Sequence, residues 1–434
     1  MTESAIDPKE RIARDLEEAR RHTTDLLAAV DDRRLMAQHN KLMSPLVWDY
    51  AHVGVYEELW LVSQLSSTPP INEGWLHMYD AFENPRACRG DLPLMDRRQV
   101  DEYRDEVRGR ALEILDKADL ISGNPLLQGE YVYKMTMQHE HQHDETILQA
   151  LQLLPGGYCP ALPSAPSGRI VALDMVSVPA GRYPIGSNAH APWDNEHPQH
   201  EVELAAYRID RFPVTNGQFR EFMEDGGYAR REFWSEAGWE WLQKSKVTAP
   251  KYWRFEHGVW LTDRFGHIVT VEWERPVMHV CYHEAEAYAR SVGKRLPTEF
   301  EWEVAASWDP SAGRARPYPW GDEPPTPDRA NLDQWLYAPA PVGAYPGGAS
   351  ALGCEQMVGD VWEWTDTDFR GYPGFVAFPY AEYSEVFFGP EHKVLRGASW
   401  AARPSVGRVT FRNWDYPIRR QIFAGFRCAM DHQA

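Results

Sequence analysis

Residues 155–168 read PGGYCPALPSAPSG, and this stretch separates two parts of the chain that differ in sequence texture. Its content of proline, glycine and serine is typical of a linker. The residues before it carry apolar side chains at helical spacing, whereas those after it form short apolar runs between many turn residues. We therefore predict a helical domain at 1–154, a linker at 155–170 and an α+β domain at 171–434.

Four helices are predicted before the linker, which indicates a helical bundle. The second follows Ser44-Pro45, where serine can cap the helix and proline fits its first turn. The third spans about 96–118, and the fourth runs from after Pro125 to about Leu154. The first covers 8–30 and places a single stripe of residues on one face: Ile12, Leu16, Ala19, Thr23, Leu26, Leu27 and Val30.

Beyond the linker we predict two helices, near Asn216–Asp225 and near Tyr282–Val292. The remaining residues form short strand-like runs, with no internal repeat of fixed period and no low-complexity tract. This mixture predicts a compact α+β domain with long loops.

The composition argues against several classes of function. A formal net charge of −19 repels phosphate backbones, so no nucleic-acid partner is expected. The chain shows no apolar stretch of the roughly 18 residues that a membrane span needs, and its charged N-terminus is unlike a signal peptide. The five cysteines are scattered, unlike a secreted disulfide scaffold. The expected compartment is the cytoplasm, without a membrane partner.

The strongest local signal is QHEHQHDE at 138–145, on the predicted fourth helix. Positions four apart share a helix face, so His139 and His143 can bind one metal ion, while His141 points nearly opposite. A third ligand is expected from a facing helix of the bundle. His52 is the best candidate, because it is central to the second helix and has apolar and aromatic neighbours.

Three imidazoles leave coordination positions open for substrate and oxygen, which suits Fe(II), although the same ligands can hold Zn, Mn or Ni. A site of two histidines and one carboxylate, from Glu140, Asp144 or Glu145, is an alternative. Glu140 and Asp144 are rotated by about 100° from their histidine neighbours, which disfavours them. The remaining alternative is a solvated polar helix face that binds no metal.

The second part of the chain carries short motifs rich in glycine, proline and tryptophan, which taken singly indicate turns and core packing. They are VPAG (178–181), IGS (185–187), PVTN (213–216), RLPTEFEWE (295–303), YPWGD (318–322), GDVWEW (359–364), VLRGASW (394–400) and AGFR (424–427). We assign none of them to catalysis. Together they resemble the formylglycine-generating enzyme/sulfatase-modifying domain, a variant of the C-type lectin fold.

The first part, with a histidine on helix two and H-x-x-x-H on helix four, resembles the DinB-like metal-binding bundles. The combination is similar, over nearly the whole chain, to the sulfoxide synthases of ergothioneine biosynthesis. This resemblance implies a non-haem oxygenase that uses Fe(II) and O2. The enzyme would bond a cysteine sulfur to C2 of the imidazole of hercynine (Nα-trimethylhistidine) and give a sulfoxide. His52, His139 and His143 would form its iron site.

Two residue pairs are further site candidates. The resemblance implies that Tyr380 stands near the iron and donates a proton during oxygen reduction, with the substrate contact of its neighbour Tyr383 left open. Arg86 and Arg89 form a local cationic pair in an acidic protein. Because planar guanidinium groups clamp carboxylates, we expect this pair to orient the thiol substrate.

The resemblance also implies a set of substrate contacts. Asn413, Trp414 and Gln142 would face hercynine, and aromatic rings near its quaternary ammonium would add about 0.5–2 kcal/mol of cation–π attraction. Asp415 and Arg419 would face the amine and carboxylate of γ-glutamylcysteine. Together with Arg86 they favour γ-glutamylcysteine over free cysteine as the thiol.

Several readings compete with this one. An ovothiol-type synthase would couple cysteine to histidine, but such chains usually carry an extra methyltransferase domain. A formylglycine-generating enzyme needs a late cysteine pair, and only Cys428 lies near the C-terminus. A non-catalytic metal-containing ligand-binding protein is the rival of a different class, although structural metals are normally coordinatively closed. The oligomeric state, any structural calcium and the order of substrate binding stay open.

Overall fold

The structure is a computed structural model that describes residues 7–169, 172, 174–189 and 193–432. Its chain divides into two compact units, Met1–Pro160 and Ala161–Ala434. The division falls inside the segment predicted as a linker. Across the described residues, no helix combines the length and the apolar character needed to cross a membrane.

The first unit is helical. Its main helices, α1 (Pro8–Leu27), α3 (Leu46–Glu57), α6 (Arg97–Lys117) and α7 (Tyr131–Leu151), pack on one another and correspond to the four helices predicted from the sequence. A π-helical segment, Glu58–Ser63, continues α3 directly. Over the described residues of this unit the shorter α-helices are α2 (Asp32–Met36), α4 (Gln64–Ser66) and α5 (Glu73–Met78).

Local sequence signals explain where these helices begin. Asp7 accepts a hydrogen bond from the Lys9 amide at the start of α1, and Asp96 and Gln99 form a capping box at the start of α6. The helix α7 begins later than predicted. Gly129 (φ 58°) and Glu130 (φ 64°) adopt left-handed backbone conformations immediately before it, which a continuous helix cannot contain.

The second unit mixes short strands and helices. The strands are β1 (Met175–Val178), β2 (Gly181–Ile185), β3 (His200–Leu204), β4 (Tyr207–Asp210), β5 (Trp253–Glu256), β6 (Val259–Arg264), β7 (His267–Thr270), β8 (Trp308–Asp309), β9 (Arg314–Ala315), β10 (Trp362–Phe369), β11 (Gly389–Arg396), β12 (Asn413–Asp415), β13 (Ala424–Gly425) and β14 (Ala429–Asp431). The helices are α8 (Asn216–Glu224), α9 (Glu236–Ser245), α10 (Tyr282–Ser291) and α11 (Glu299–Ser307).

The strands form five small sheets: β1-β4-β14, β12-β11-β10-β13, β2-β3, β5-β6-β7 and β8-β9. Strand β10 of the four-stranded sheet carries two of the motif tryptophans, Trp362 and Trp364. Trp302, Trp364 and Trp400 are fully buried. The outer strand β12 of the four-stranded sheet pairs antiparallel with β11, with Trp414 opposite Val394. This pairing fixes the backbone of the segment that carries three predicted substrate contacts.

Two of the four longer helices in this unit were predicted and two were missed. The predictions near Asn216–Asp225 and Tyr282–Val292 are confirmed by α8 and α10. The helix α11 is buried on nearly every face, so it lacks the amphipathic period that reveals a helix. Its capping box, Thr298 with Glu301, was the available signal. The helix α9 was also missed.

Candidate functional site

The helices α3 and α7 bring three histidines together in the first unit. His52 comes from α3, and His139 and His143 come from successive turns of α7. One nitrogen atom from each ring lies within 4.8 Å of the nitrogen atoms of the other two. Among the described residues, this is the group with the composition and spacing of a metal site.

The orientation of two of these rings is set by hydrogen bonds on their far side. Nδ1 of His52 lies 2.7 Å from the carbonyl oxygen of Tyr79, and Nδ1 of His143 lies 2.9 Å from Oδ1 of Asp49. An Nδ1–H that donates to such an acceptor fixes the tautomer with a lone pair on Nε2. Both rings therefore offer Nε2 as a metal ligand.

The spacing of the ring nitrogens fits a shared cation. Nε2 of His52 lies 3.3 Å from Nε2 of His139. Two ligands with bonds of about 2.1 Å, at angles between 90° and the tetrahedral value, stand about 3.0–3.4 Å apart. Nδ1 of His139 is buried without a hydrogen-bond partner, so no acceptor on that side dictates its tautomer. The ring can present a lone pair on Nε2 to an ion.

The surroundings keep the imidazoles of His52 and His139 neutral. Burial lowers the pKa of His52 and of His139 well below the ordinary value, and the nearby His143 lowers both further. A neutral imidazole is the form that binds a metal. His52 and His139 can therefore coordinate a cation without first losing a proton.

Aromatic side chains clamp two of the rings from their faces. Trp48 stacks on His52 with ring centroids 4.6 Å apart, and Tyr56 stacks on His139 at 3.6 Å. The guanidinium of Arg89 covers the Trp48 ring, 3.5 Å from its centroid. These stacks restrict ring rotation, which preorganises the ligands.

The carboxylate alternative finds no support in the cluster. Glu140 accepts hydrogen bonds from Arg104 and Thr23. Its carboxylate is therefore paired with a buried guanidinium inside the bundle. Thr23 also bonds to Asp144, 2.8 Å away. No carboxylate joins the three histidines in the group that the described residues form, and His141 stays outside it, as predicted.

The predicted arginine pair divides into one exposed and one buried residue. Arg86 is exposed, whereas Arg89 is only 4% exposed. Arg89 donates to the carbonyls of Asn84 and Ala81 and to Ser44. Burial lowers the pKa of Arg89 to about 10, so it stays charged at neutral pH. Arg89 therefore holds the loop and the Trp48 ring beside the histidine cluster. The substrate contact of Arg86 stays a prediction. Gln142 is half-buried next to His143.

In the second unit the structure groups the two predicted tyrosines with a predicted tryptophan. Tyr380 contacts Tyr383 edge-on, with centroids 6.5 Å apart, and Tyr383 contacts Trp414 in the same manner at 5.6 Å. Trp414 also stacks on Phe369 at 4.2 Å. All three predicted residues are half-buried, so part of each ring is open to a ligand.

The other predicted contacts of this unit adjoin that aromatic group. Asn413 and Asp415 flank Trp414 on β12. Nε of the buried Arg419 lies 3.3 Å from Oδ2 of Asp415, which makes an ion pair between the two residues predicted to contact the thiol substrate. A carboxylate and a guanidinium side by side match the amine and carboxylate of an amino acid.

Some residues of these clusters were missed by sequence reasoning. Asp49 and Tyr79, which orient two of the histidines, carry no motif. Asp49 precedes His52 by one helical turn, and this spacing was the one available signal. Trp193 and Asp194, which contact the Tyr383 ring and the backbone of Phe378, lie far from them in sequence. Only the fold brings them together.

Comparison with known proteins accounts for both units. Residues 15–147 match the DinB superfamily, and residues 164–432 match the sulfatase-modifying factor enzyme 1-like domain. These matches confirm the expected fold class, a DinB-like bundle followed by a C-type-lectin-like domain of the formylglycine-generating type. Together the two matches cover most of the chain.

Full-length relatives share this combination. A protein named hercynine oxygenase from Mycobacterium tuberculosis is 48% identical over 432 residues, covering 97% of this chain and 99% of the relative. One of the same name from Mycolicibacterium thermoresistibile is 47% identical over 447 residues, covering 99% of this chain and 97% of the relative. The expected resemblance is thereby confirmed, and the chain belongs to the hercynine oxygenase family of enzymes.

Proposed function

We propose that this chain is a sulfoxide synthase that uses Fe(II) and O2 to join γ-glutamylcysteine to hercynine. The observation that carries the proposal is the cluster of His52, His139 and His143 within a chain of this family. Similarity over 97% of the chain to a relative named hercynine oxygenase supports hercynine as the substrate. The site would act in ergothioneine biosynthesis.

The proposed reaction balances with one molecule of O2. The S–H bond of the thiol and the C2–H bond of the imidazole break, and a C–S bond forms between them. One oxygen atom ends on sulfur as the sulfoxide, and the other leaves as water with the two hydrogen atoms. Sulfur and carbon together lose four electrons, which is the number that O2 accepts.

The proposed cofactor is Fe(II), and the residues of the cluster fit it. Three imidazole ligands leave further coordination positions open, unlike a structural zinc site, which four protein ligands close. When bound, Fe(II) supplies the one-electron redox chemistry that O2 needs. Asp49 and the Tyr79 carbonyl keep two ligand rings in a single tautomer, and the stacked Trp48 and Tyr56 hold ring planes in place.

The remaining roles follow from side-chain chemistry. Tyr380 is proposed as the group that donates a proton during oxygen reduction. The Asp415–Arg419 pair is proposed to hold the amine and carboxylate of the γ-glutamyl group, because its two charges are complementary to that zwitterion. Arg86 is the proposed partner for a further carboxylate of the thiol.

Hercynine is proposed to lie against polar and aromatic side chains. Its trimethylammonium group has no N–H donor, so aromatic faces rather than hydrogen bonds would attract it. Trp414 is half-buried and stacked on Phe369, which leaves part of its indole for such a contact. Asn413 and Gln142 are the proposed polar partners.

The test is reconstitution of the protein with Fe(II) in air, with hercynine and either γ-glutamylcysteine or cysteine. Mass spectrometry should detect the coupled sulfoxide, with γ-glutamylcysteine preferred. The product should disappear in His139→Ala and persist in His77→Ala, a matched control because the exposed His77 side chain pairs with Glu83 outside the histidine cluster.

The other possible products would separate the alternative functions. Preference for free cysteine would overturn the proposed thiol and keep the synthase. Coupling to histidine instead of hercynine would favour an ovothiol-type reaction. Absence of any coupled product from iron-loaded protein would overturn the synthase proposal and favour a metal-containing binding protein.

A further inference from the structure

We propose that the segment Trp193–Glu196, which no motif marks, is the positioning segment for the loop that carries Tyr380. We define this loop, the Tyr380 loop, as residues 377–384. The inference deepens the proposed function and rests on it, since Tyr380 matters to catalysis only if the coupling reaction takes place. The segment, the loop and all of the residues that connect them lie in the second unit.

A single buried carboxylate joins the two ends of the Tyr380 loop. Oδ2 of Asp194 accepts a hydrogen bond from the backbone N–H of Phe378 at 3.4 Å. Its Oδ1 accepts from the hydroxyl of Ser384 at 2.5 Å. Residues before and after Tyr380 are therefore tied to the same side chain, which closes the loop at its base.

The adjacent asparagine completes the connection at Ser384. Nδ2 of Asn195 donates to Oγ of Ser384 at 3.0 Å. The hydroxyl of Ser384 thus donates its proton to Asp194 and accepts one from Asn195, and the side chain is fully buried. Each oxygen atom of Asp194 thus has a hydrogen-bond partner on the loop.

The first residue of the segment contacts the aromatic part of the loop. The Trp193 ring stacks on Tyr383, with centroids 3.8 Å apart and planes inclined by 14°. Tyr383 in turn contacts Tyr380 edge-on. The tryptophan therefore limits the rotamers of Tyr383, and through that ring it restricts the position available to the Tyr380 phenol.

The segment has a rigid base of its own. Glu196 is fully buried and accepts hydrogen bonds from Arg408, from Thr410 and from the backbone N–H of Trp193. The backbone carbonyl of Asn195 accepts from Arg412 at 2.7 Å. Ordered partners on both sides make the segment a fixed support rather than a second mobile loop.

The Arg412 contact extends the support to the proposed substrate strand. Arg412 directly precedes β12, which carries Asn413, Trp414 and Asp415. The guanidinium of Arg412 also forms a bidentate ion pair with the buried Glu299, at 2.8 and 2.9 Å. The same four-residue segment thus anchors the Tyr380 loop and the start of the strand with three proposed substrate contacts.

The test compares Asp194→Asn and Ser384→Ala with Glu382→Gln. Glu382 is exposed on the same loop, so its substitution makes the same carboxylate-to-amide change outside the anchoring contacts. Hydrogen–deuterium exchange of the 376–388 peptide should be about tenfold faster in both anchor variants and unchanged in the control. The loss of kcat should be about 10- to 100-fold, with KM changed less than about twofold.

A double variant separates positioning from general damage. Asp194→Asn and Ser384→Ala remove two ends of one hydrogen bond, so the kcat of the double variant should equal that of the worse single variant. Faster loop exchange with unchanged kcat would overturn the positioning role, as would unchanged exchange in both variants. If the wild-type protein forms no product, the proposed function fails, whereas exchange that is accelerated in both anchor variants would still support the anchoring of the loop.

Discussion

Nδ1 of His143 lies 2.9 Å from Oδ1 of Asp49, so a carboxylate on α3 orients a candidate metal ligand on α7. Asp49 is only 1% exposed. Water therefore has little access to this side chain. The hydrogen bond with His143 provides it with a polar partner inside the bundle. The pair links the two helices that supply the three histidines.

Substitution of Asp49 by asparagine should weaken metal binding. An amide oxygen is a poorer acceptor than a carboxylate, so His143 would be held less firmly and would become a less basic ligand. We expect a loss of about 10- to 100-fold in Fe(II) affinity. Anaerobic titration against a competing chelator measures it without relying on activity. Glu83→Gln is the control, because Glu83 pairs with the exposed His77 at 2.8 Å. Equal affinity in Asp49→Asn and wild type would contradict the orienting role.

Glu140→Gln should destabilise the first unit and leave its metal content unchanged. The substitution removes the charge that compensates the buried Arg104, at a cost of about 3–5 kcal/mol in the free energy of unfolding. Urea denaturation followed by circular dichroism measures the loss, with the exposed Glu113→Gln on α6 as control. Loss of metal from folded Glu140→Gln protein would favour the alternative hypothesis of a metal site with two histidines and one carboxylate.

The two predicted arginines should behave differently. Arg89→Met leaves the carbonyls of Asn84 and Ala81 without their donor, so we expect a loss of about 2–4 kcal/mol in stability. Arg86→Ala should keep the stability within about 0.5 kcal/mol, since Arg86 is exposed, and should raise KM for the thiol. Thermal unfolding and steady-state kinetics distinguish them. A raised thiol KM in stable Arg89→Met protein would show that Arg89 contacts substrate.

Tyr380→Phe should lower kcat for coupling by about 10²- to 10⁴-fold, the usual contribution of a positioned proton donor. The ring remains, so stability and the contact with Tyr383 should be preserved. Tyr383→Phe keeps the stack on Trp193 and should cost much less. Full activity of Tyr380→Phe would remove the proton-donor assignment.

The stability of the second unit should depend on pH through Asp194. Burial raises the pKa of this carboxyl to about 6. Between pH of about 4, the unfolded pKa, and pH 6, the native state binds more protons than the unfolded state, so the contribution of Asp194 falls as pH rises. The stability of wild type relative to Asp194→Asn should therefore decrease by up to about 3 kcal/mol from pH 4 to 7. Urea denaturation at a series of pH values measures this difference, and a constant difference would contradict the assignment.

The helical period was enough to identify two of the three candidate metal ligands. His139 and His143 are four residues apart on one helix, and a face shared at that spacing is a local property of the backbone. The choice of His52 needed one more assumption, that a bundle recruits a ligand from a facing helix. The structure brings these three residues together because α3 and α7 pack directly on each other.

The contacts between segments that are distant in sequence became visible only in the folded chain. The change in texture at the linker, the main helices of the bundle and the three histidines could be predicted from the sequence, because these features depend on composition and on spacing within single elements. Three contacts could not be predicted from the sequence: Asp49 with His143, Arg89 with Trp48, and Asp194 with the ends of the Tyr380 loop. The partner of a buried charge depends on which side chains the folded chain packs beside it. No periodicity within a single helix or strand predicts that partner.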